Sequence, residues 1–306
     1  DGADEEGFGP GQPGEPGDFI AGFQVEDRAV RGRVLRSAGT LDQILTAHDF
    51  PEPVARLLGE AVVLAGLVGP ALKFDGRLIV QANGTGPVSF IVAEYTKGEG
   101  VRGFAKMDRD AVLAALDAAD KATPPIKTLL GEGYFAMTID QGVVPLEGDS
   151  LAIIAEHYFT QSEQTPTRLR MAVGEVWTQE GGKQWRGGGA LLQAVAGDES
   201  RGDAKDDWDH VRALFETISD DELLDPLLSA GGLLYRLFHE DGVRILDPEV
   251  LQRRCSCERE RLLRIIASFP ADDQAHMTRD GEIVMTCEYC NRDWNFLPGE
   301  VEAVES

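Results

Sequence analysis

All four cysteines of the chain lie in one window: Cys255, Cys257, Cys287 and Cys290. They read C-S-C, then twenty-nine residues, then C-E-Y-C. Two close pairs separated by a short folded stretch can bring four sulfurs round one ion. Zinc takes four thiolates tetrahedrally at about 2.3 Å, and such a closed site leaves no open position for a substrate. The same thiols can also leave the metal as two local disulfides. A plain structural zinc ribbon and a redox site therefore both fit the spacing. Read alone, Cys287-Glu288-Tyr289-Cys290 could also be the pair of a thiol-disulfide oxidoreductase. Against that, it sits in a zinc-ribbon context rather than at a βα turn, and four cysteines suit one metal better than one dithiol.

Other chemistry is sparse. Gly84-Thr85-Gly86 does not complete a dinucleotide loop, and its flanks read as strands, so a turn is expected. Gly187-Gly188-Gly189 has no Lys-Ser/Thr after it and is expected to be a tight turn or hinge rather than a phosphate loop, so no nucleotide is expected. His48, His157, His210, His239 and His276 show no ligand spacing; His276, between the cysteine pairs, is only a weak alternate ligand. No G-x-S-x-G nucleophile motif is present, and no enzyme activity is expected.

The elements that must position the cysteines follow from pattern. Residues 1–20 are glycine, proline and acid, a composition expected to stay disordered. Residues 21–197 read as a mixed α/β domain. Pro51-Glu52-Pro53 opens a helix with Val54, Leu57, Leu58, Ala61 and Val62 on one face. β-rich runs at 77–82, 87–95 and 101–107 are broken by glycine turns, and 134–140 with 143–146 suggests a hairpin. Ser150 caps a helix carrying Leu151, Ile154, Ala155, Tyr158 and Phe159, and 169–177 and 190–196 return to strand. Residues 198–252 form an acidic linker, with fifteen acids against five bases over 198–250. It carries three short amphipathic helices: a stripe of Trp208, Val211, Phe215 and Ile218, a capping box at Ser219 and Glu222, and a stripe of Leu233, Leu234, Leu237 and Phe238. Helices this short need tertiary packing, so the linker is expected to be metastable. Residues 253–297 make the cysteine module: a helix over 259–269, then a hairpin over 282–296 with Cys287 and Cys290 at its turn. Some forty residues make no self-sufficient core, so a metal would supply much of the folding energy. Residues 298–306 are read as a tail. The fold class is α+β: a sheet-and-helix core, a helical linker and a small four-cysteine zinc module.

Charge narrows the partners. The formal net charge is -24, from 53 acids and 29 bases. Such a field repels phosphate backbones and anionic membranes. The module has seven bases and eight acids over 251–296 and so lacks a basic footprint. The most apolar stretch, 61–72, is too short to span a bilayer and reads as a buried helix or its end. The first basic residue is Arg28, so no positive n-region precedes an apolar segment, and a cytoplasmic location is expected. Neither nucleic acid nor membrane is an expected partner.

The assembled motifs carry a resemblance. They are Arg254-Cys255-Ser256-Cys257, Gly281-Glu282-Ile283 and Cys287-Glu288-Tyr289-Cys290-Asn291 in the module. The core adds Leu72-Lys73-Phe74-Asp75-Gly76-Arg77-Leu78, Gln81-Ala82-Asn83-Gly84-Thr85-Gly86-Pro87, Arg102-Gly103-Phe104-Ala105 and Tyr158-Phe159-Thr160-Gln161-Ser162-Glu163-Gln164. Together they resemble the heat-shock protein 33 family of redox-regulated 33 kDa chaperonins over essentially the whole chain after the tail. The resemblance implies an ATP-independent holdase, inactive when reduced with one zinc on the four cysteines. It implies that oxidants such as hypochlorous acid, or peroxide with heat, form the disulfides Cys255–Cys257 and Cys287–Cys290, with zinc release and unfolding of module and linker. The active form would be a homodimer that binds unfolded or partly folded client proteins. Trp208, Phe215, Leu233, Leu234 and Phe238 are the candidate client-binding residues, because the linker stripes would then lose their cover.

Overall fold

The computed structural model describes residues 17–71, 76–119, 124–138, 142–178, 181–195 and 204–305. They divide into two compact units, one up to Arg253 and one from Arg254.

The first unit is built on two antiparallel sheets. One has the order β10–β1–β2–β9–β8, with β11 also pairing β1. Its strands are β1 (Phe19–Val25), β2 (Val30–Ser37), β8 (Thr167–Trp177), β9 (Lys183–Ala194), β10 (Val243–Ile245) and β11 (Glu249–Val250). The other has the order β5–β4–β3–β6–β7, from β3 (Arg77–Gly84), β4 (Val88–Thr96), β5 (Gly100–Met107), β6 (Gly133–Met137) and β7 (Gly142–Pro145). Helices α1 (Gly39–Leu45), α2 (Glu52–Val68), α3 (Arg109–Ala119), α4 (Ile126–Leu130) and α5 (Leu151–Ser162) complete the core. Ser150 caps α5 by accepting from the Ile153 amide, as its sequence predicts.

Helix α2 lies between the two sheets and is buried on nearly every side. A helix apolar all round belongs in the centre of a core or in a membrane. With its following turn, Glu52–Ala71 is long and apolar enough to cross a bilayer by length and composition, yet 78% of that apolar window is buried inside the protein. It is longer than the stretch the sequence singled out, and it is the central core helix.

The linker helices α6 (Ala204–Phe215), α7 (Asp220–Leu224) and α8 (Ala230–Phe238) lie where the amphipathic stripes place them, and the Ser219–Glu222 capping box is formed. They cover the outer face of the first sheet. Strand alternation explains why that sheet needs cover on both sides. Ile20, Leu35 and Leu191 join the inner cluster with α2, while Phe19, Phe23, Val34 and Leu192 join an outer cluster with the linker. The layers are therefore linker helices, sheet, α2, second sheet. The linker also contributes β10 and β11, which the reading of three helices did not foresee; both are very short and pair with β1.

Gly187-Gly188-Gly189 is not a turn or hinge. It runs through the middle of β9, paired with β2 on one side and β8 on the other. A Cβ on Gly187 or Gly189 would lie 2.6 Å from Leu41 or Val63 on the inner face, and one on Gly188 would lie 2.1 Å from the Leu223 carbonyl on the outer face. The glycines are there because both faces of this strand are closely approached.

The two expected tails differ from the structure where it describes them. Residues 1–16 lie outside the described set, but β1 already begins at Phe19. Phe19 and Ile20 are buried, and the Asp18 carboxylate accepts from Ser37 Oγ and from the Ala38 and Thr40 amides at 2.9 Å, which holds the strand's start. At the other end, Pro298–Glu305 is a helix, α11, packed on α9 (Arg259–Ala267), with Val301 fully buried. The motif residues 72–75 and the linker's first residues, 198–203, also lie outside the described set.

Candidate metal and redox centre

The second unit holds α9, α10 (Ala271–Met277), α11 and a three-stranded antiparallel sheet of β12 (Thr278–Arg279), β13 (Glu282–Thr286) and β14 (Asp293–Phe296). Among the described residues, five side chains make its buried core: Leu262, Ile266, Ile283, Phe296 and Val301. That is very little apolar burial to offset the entropy of ordering the unit. Polar ties add to it. Arg259 lies 4.6 Å over the Phe296 ring, donates to the Asn295 carbonyl and pairs with Glu300, a residue of the supposed tail.

The β13–β14 hairpin presents Cys287 and Cys290 at its turn. The Asn291 amide donates to the Cys287 carbonyl at 2.8 Å, and the Cys287 amide to the Arg292 carbonyl at 3.0 Å. Asn291 takes a left-handed φ of 54°, a conformation that asparagine tolerates better than most residues. Cys255 and Cys257 precede α9, and Cys257 packs against the small core.

The four Sγ atoms converge within 4.8 Å of one another. Cys255 and Cys257 lie 3.1 Å apart, Cys257 and Cys290 3.3 Å, and Cys255 and Cys287 3.5 Å. None is bonded to another. Four sulfurs at about 2.3 Å from one ion would have edges of about 3.8 Å, so a small expansion admits the metal. The donor set is all thiol, matching the closed structural zinc class; His276 is not part of it, and its Nδ1 lies 2.6 Å from the Asp272 carbonyl within α10. The four cysteines are thus positioned to hold a metal ion.

Without an ion, these thiols perturb one another. Burial and the Cys257 contact push the Cys255 thiol up to about 11. Burial also raises Cys257 and Cys290. Burial acts the same way on Cys287, but the Cys290 and Tyr289 amides and the neighbouring sulfurs outweigh it and hold that thiol below its ordinary value.

A family model described as Hsp33 protein matches residues 18–297. The chain belongs to the heat-shock protein 33 family. A 33 kDa chaperonin of Caulobacter vibrioides is 50% identical over 290 residues, spanning 92% of this chain and 95% of that protein. One from Escherichia coli is 38% identical over 297 residues, spanning 94% and 95%. The crystal structure of the 33 kDa chaperonin of Thermotoga maritima superposes with a TM-score of 0.73 at 20% identity, covering 94% of this chain and 97% of its own, and so shares the fold. Family membership thus rests on the sequence relatives, which carry a chaperone's name.

Of the other site residues predicted for this Hsp33 chain, Phe215, Leu233, Leu234 and Phe238 are fully buried in the outer cluster, and Trp208 packs partly buried against it. Sequence patterns missed the polar ties that hold the linker down. Arg36, in β2 on the outer face and 4% exposed, donates to the Leu223 and Leu228 carbonyls. Arg28 bridges Asp207 at 2.8 Å and Asp241 at 2.7 Å, and Arg170 donates to the Glu216 carbonyl. An arginine in alternation with the apolar residues of one strand face, as Arg36 is with Val30 and Val34 in VRGRVLRS, is the one signal that could have marked such a tie.

Proposed function

We propose that this chain is a redox-regulated, ATP-independent holdase that prevents aggregation of unfolding proteins. The observation that carries the reading is the outer cluster, in which an apolar sheet face is covered by the short elements of an acidic linker, leading to a four-thiol unit whose core, among the described residues, is five buried side chains. Cys255, Cys257, Cys287 and Cys290 would hold one zinc in the reduced protein, where the ion supplies cross-linking energy, on the order of 10 kcal/mol or more. Oxidation would join Cys255 to Cys257 and Cys287 to Cys290. Each bond takes two electrons from two thiols: one peroxide becomes two waters, or one hypochlorous acid becomes water, chloride and a proton. All four ligands are then lost, and the small unit has too little core to stay folded. The linker loses its folded neighbour in sequence, undocks and uncovers apolar surface. Trp208, Phe215, Leu233, Leu234 and Phe238, with the sheet face beneath them, would then meet clients. The active form would be a homodimer in the cytoplasm, with no catalytic residues.

The test is aggregation of a heat-unfolded protein in the presence of reduced or hypochlorous-acid-treated chain, with zinc release followed in the same sample. Suppression only after oxidation, with about one zinc released per chain, is the expected result. Zinc retained, or released with no gain in suppression, would leave the cysteines a structural staple.

A further inference from the structure

A cavity of about 430 Å³ lies between the core and linker helix α7. Pro53 and Leu57 of α2, Val173 of β8 and Leu224 of α7 form apolar walls. Glu60, on α2, also lines it, and its carboxyl makes no hydrogen bond or ion pair among the described residues. The charged groups about the cavity are Glu52 and Arg56 from its own helix, Asp149 beside the cap of α5, and Asp220 and Asp221 from the first turn of α7. Arg56 cannot serve Glu60 fully, because its guanidinium is already bonded to Glu52 and to the Val173 carbonyl. An ionised Glu60 would therefore face the acids of the linker across a cavity whose walls are part apolar and part acidic.

We propose that Glu60 is a pH latch on the linker: with its carboxyl neutral α7 docks, and with its carboxyl ionised α7 is driven off the core. Glu60 is half-buried, and its partial desolvation, with the charge of Asp220 adding and Arg56 opposing, raises its carboxyl above the 4.5 of a free group, to about 7. The docked form thus binds the proton more tightly than the undocked form. Docking is at full strength below about pH 4.5 and weakens as the pH rises through about 7. With tenfold per pKa unit, the docking equilibrium falls about tenfold between pH 6 and pH 8 when the whole shift is relieved on undocking. Alkaline conditions would then ready the linker for release.

The docking equilibrium is read without client or oxidant, so the latch and the holdase reading on which its consequence rests can fail separately. Amide hydrogen exchange of residues 216–228 is followed in the reduced, zinc-loaded full chain at pH 6 and pH 8, corrected for the intrinsic pH dependence of exchange. Wild type should open about tenfold more at pH 8. Glu60→Gln, which cannot ionise, should be equally protected at both, and Asp220→Asn should lessen the slope. Equal slopes in wild type and Glu60→Gln overturn the latch. So does a carbon-13 NMR titration placing the Glu60 carboxyl at or below 4.5 in wild type, a measurement that needs no variant to fold.

Discussion

Replacing Phe238 by alanine separates linker docking from the stability of the core. Phe238 is fully buried, and its ring stacks on Phe23 of β1 at 5.9 Å. Truncating a buried phenylalanine costs about 3–5 kcal/mol. Among the described residues, the inner cluster around α2 draws nothing from α6, α7 or α8. The cost should therefore fall mainly on the docked linker rather than on the whole unit. At about 1.4 kcal/mol per tenfold, the undocked linker becomes roughly two to three and a half orders of magnitude more populated. Phe135→Ala is the matched control, since Phe135 is equally buried but belongs to the inner cluster, edge-on to Tyr158. Both variants are assayed reduced and zinc-loaded, by limited proteolysis within residues 204–242 and by suppression of aggregation of a heat-unfolded protein. Phe238→Ala should be cut in the linker and hold clients without oxidant. Phe135→Ala should lower Tm with the linker closed. An open linker in Phe238→Ala with no gain in holding would refute the covered-face reasoning. An unchanged linker with a lowered Tm would show that linker and core unfold as one.

Other perturbations follow from the same contacts. Arg36→Met leaves the Leu223 and Leu228 carbonyls without their donor, at about 1–3 kcal/mol for each buried group left unpaired, and should speed proteolysis of the linker. Gly188→Ala places a Cβ 2.1 Å from the Leu223 carbonyl, so α7 must shift, and amide exchange over residues 219–228 should rise while α2 stays protected. Cys287→Ser removes one of four ligands, and metal analysis should fall from about one zinc per chain to near none, with loss of the α9 and α11 helical signal, because the module has only five buried apolar side chains among the described residues.

How much was legible in the sequence depended on whether the signal was local. The amphipathic stripes at Trp208–Ile218 and Leu233–Phe238, the Ser219–Glu222 capping box and the Ser150 cap are all set within one or two helical turns, and each is found where the pattern puts it. The hairpin with Cys287 and Cys290 at its turn was equally plain, because strand pattern and ligand spacing coincide there. The triple glycine was misread for the opposite reason. A glycine run looks like a turn until one knows that α2 and α7 press on the strand from both sides, a fact carried by residues more than a hundred positions away or thirty-odd positions on. The supposed tails failed likewise: the Asp18 interactions and the Arg259–Glu300 pair join distant segments that no local composition announces.

The sequence by itself singled out the four thiols as the donor set, and the marginal helices that separate them from the core, because residue type and short-range spacing suffice for both. Only the tertiary structure decided what the linker hides. It laid those helices on the outer face of the first sheet, tied them there with Arg28, Arg36 and Arg170, and left Glu60 facing their acids across a cavity. Burial and electrostatic coupling belong to groups brought together by the fold, so they come into being only with it.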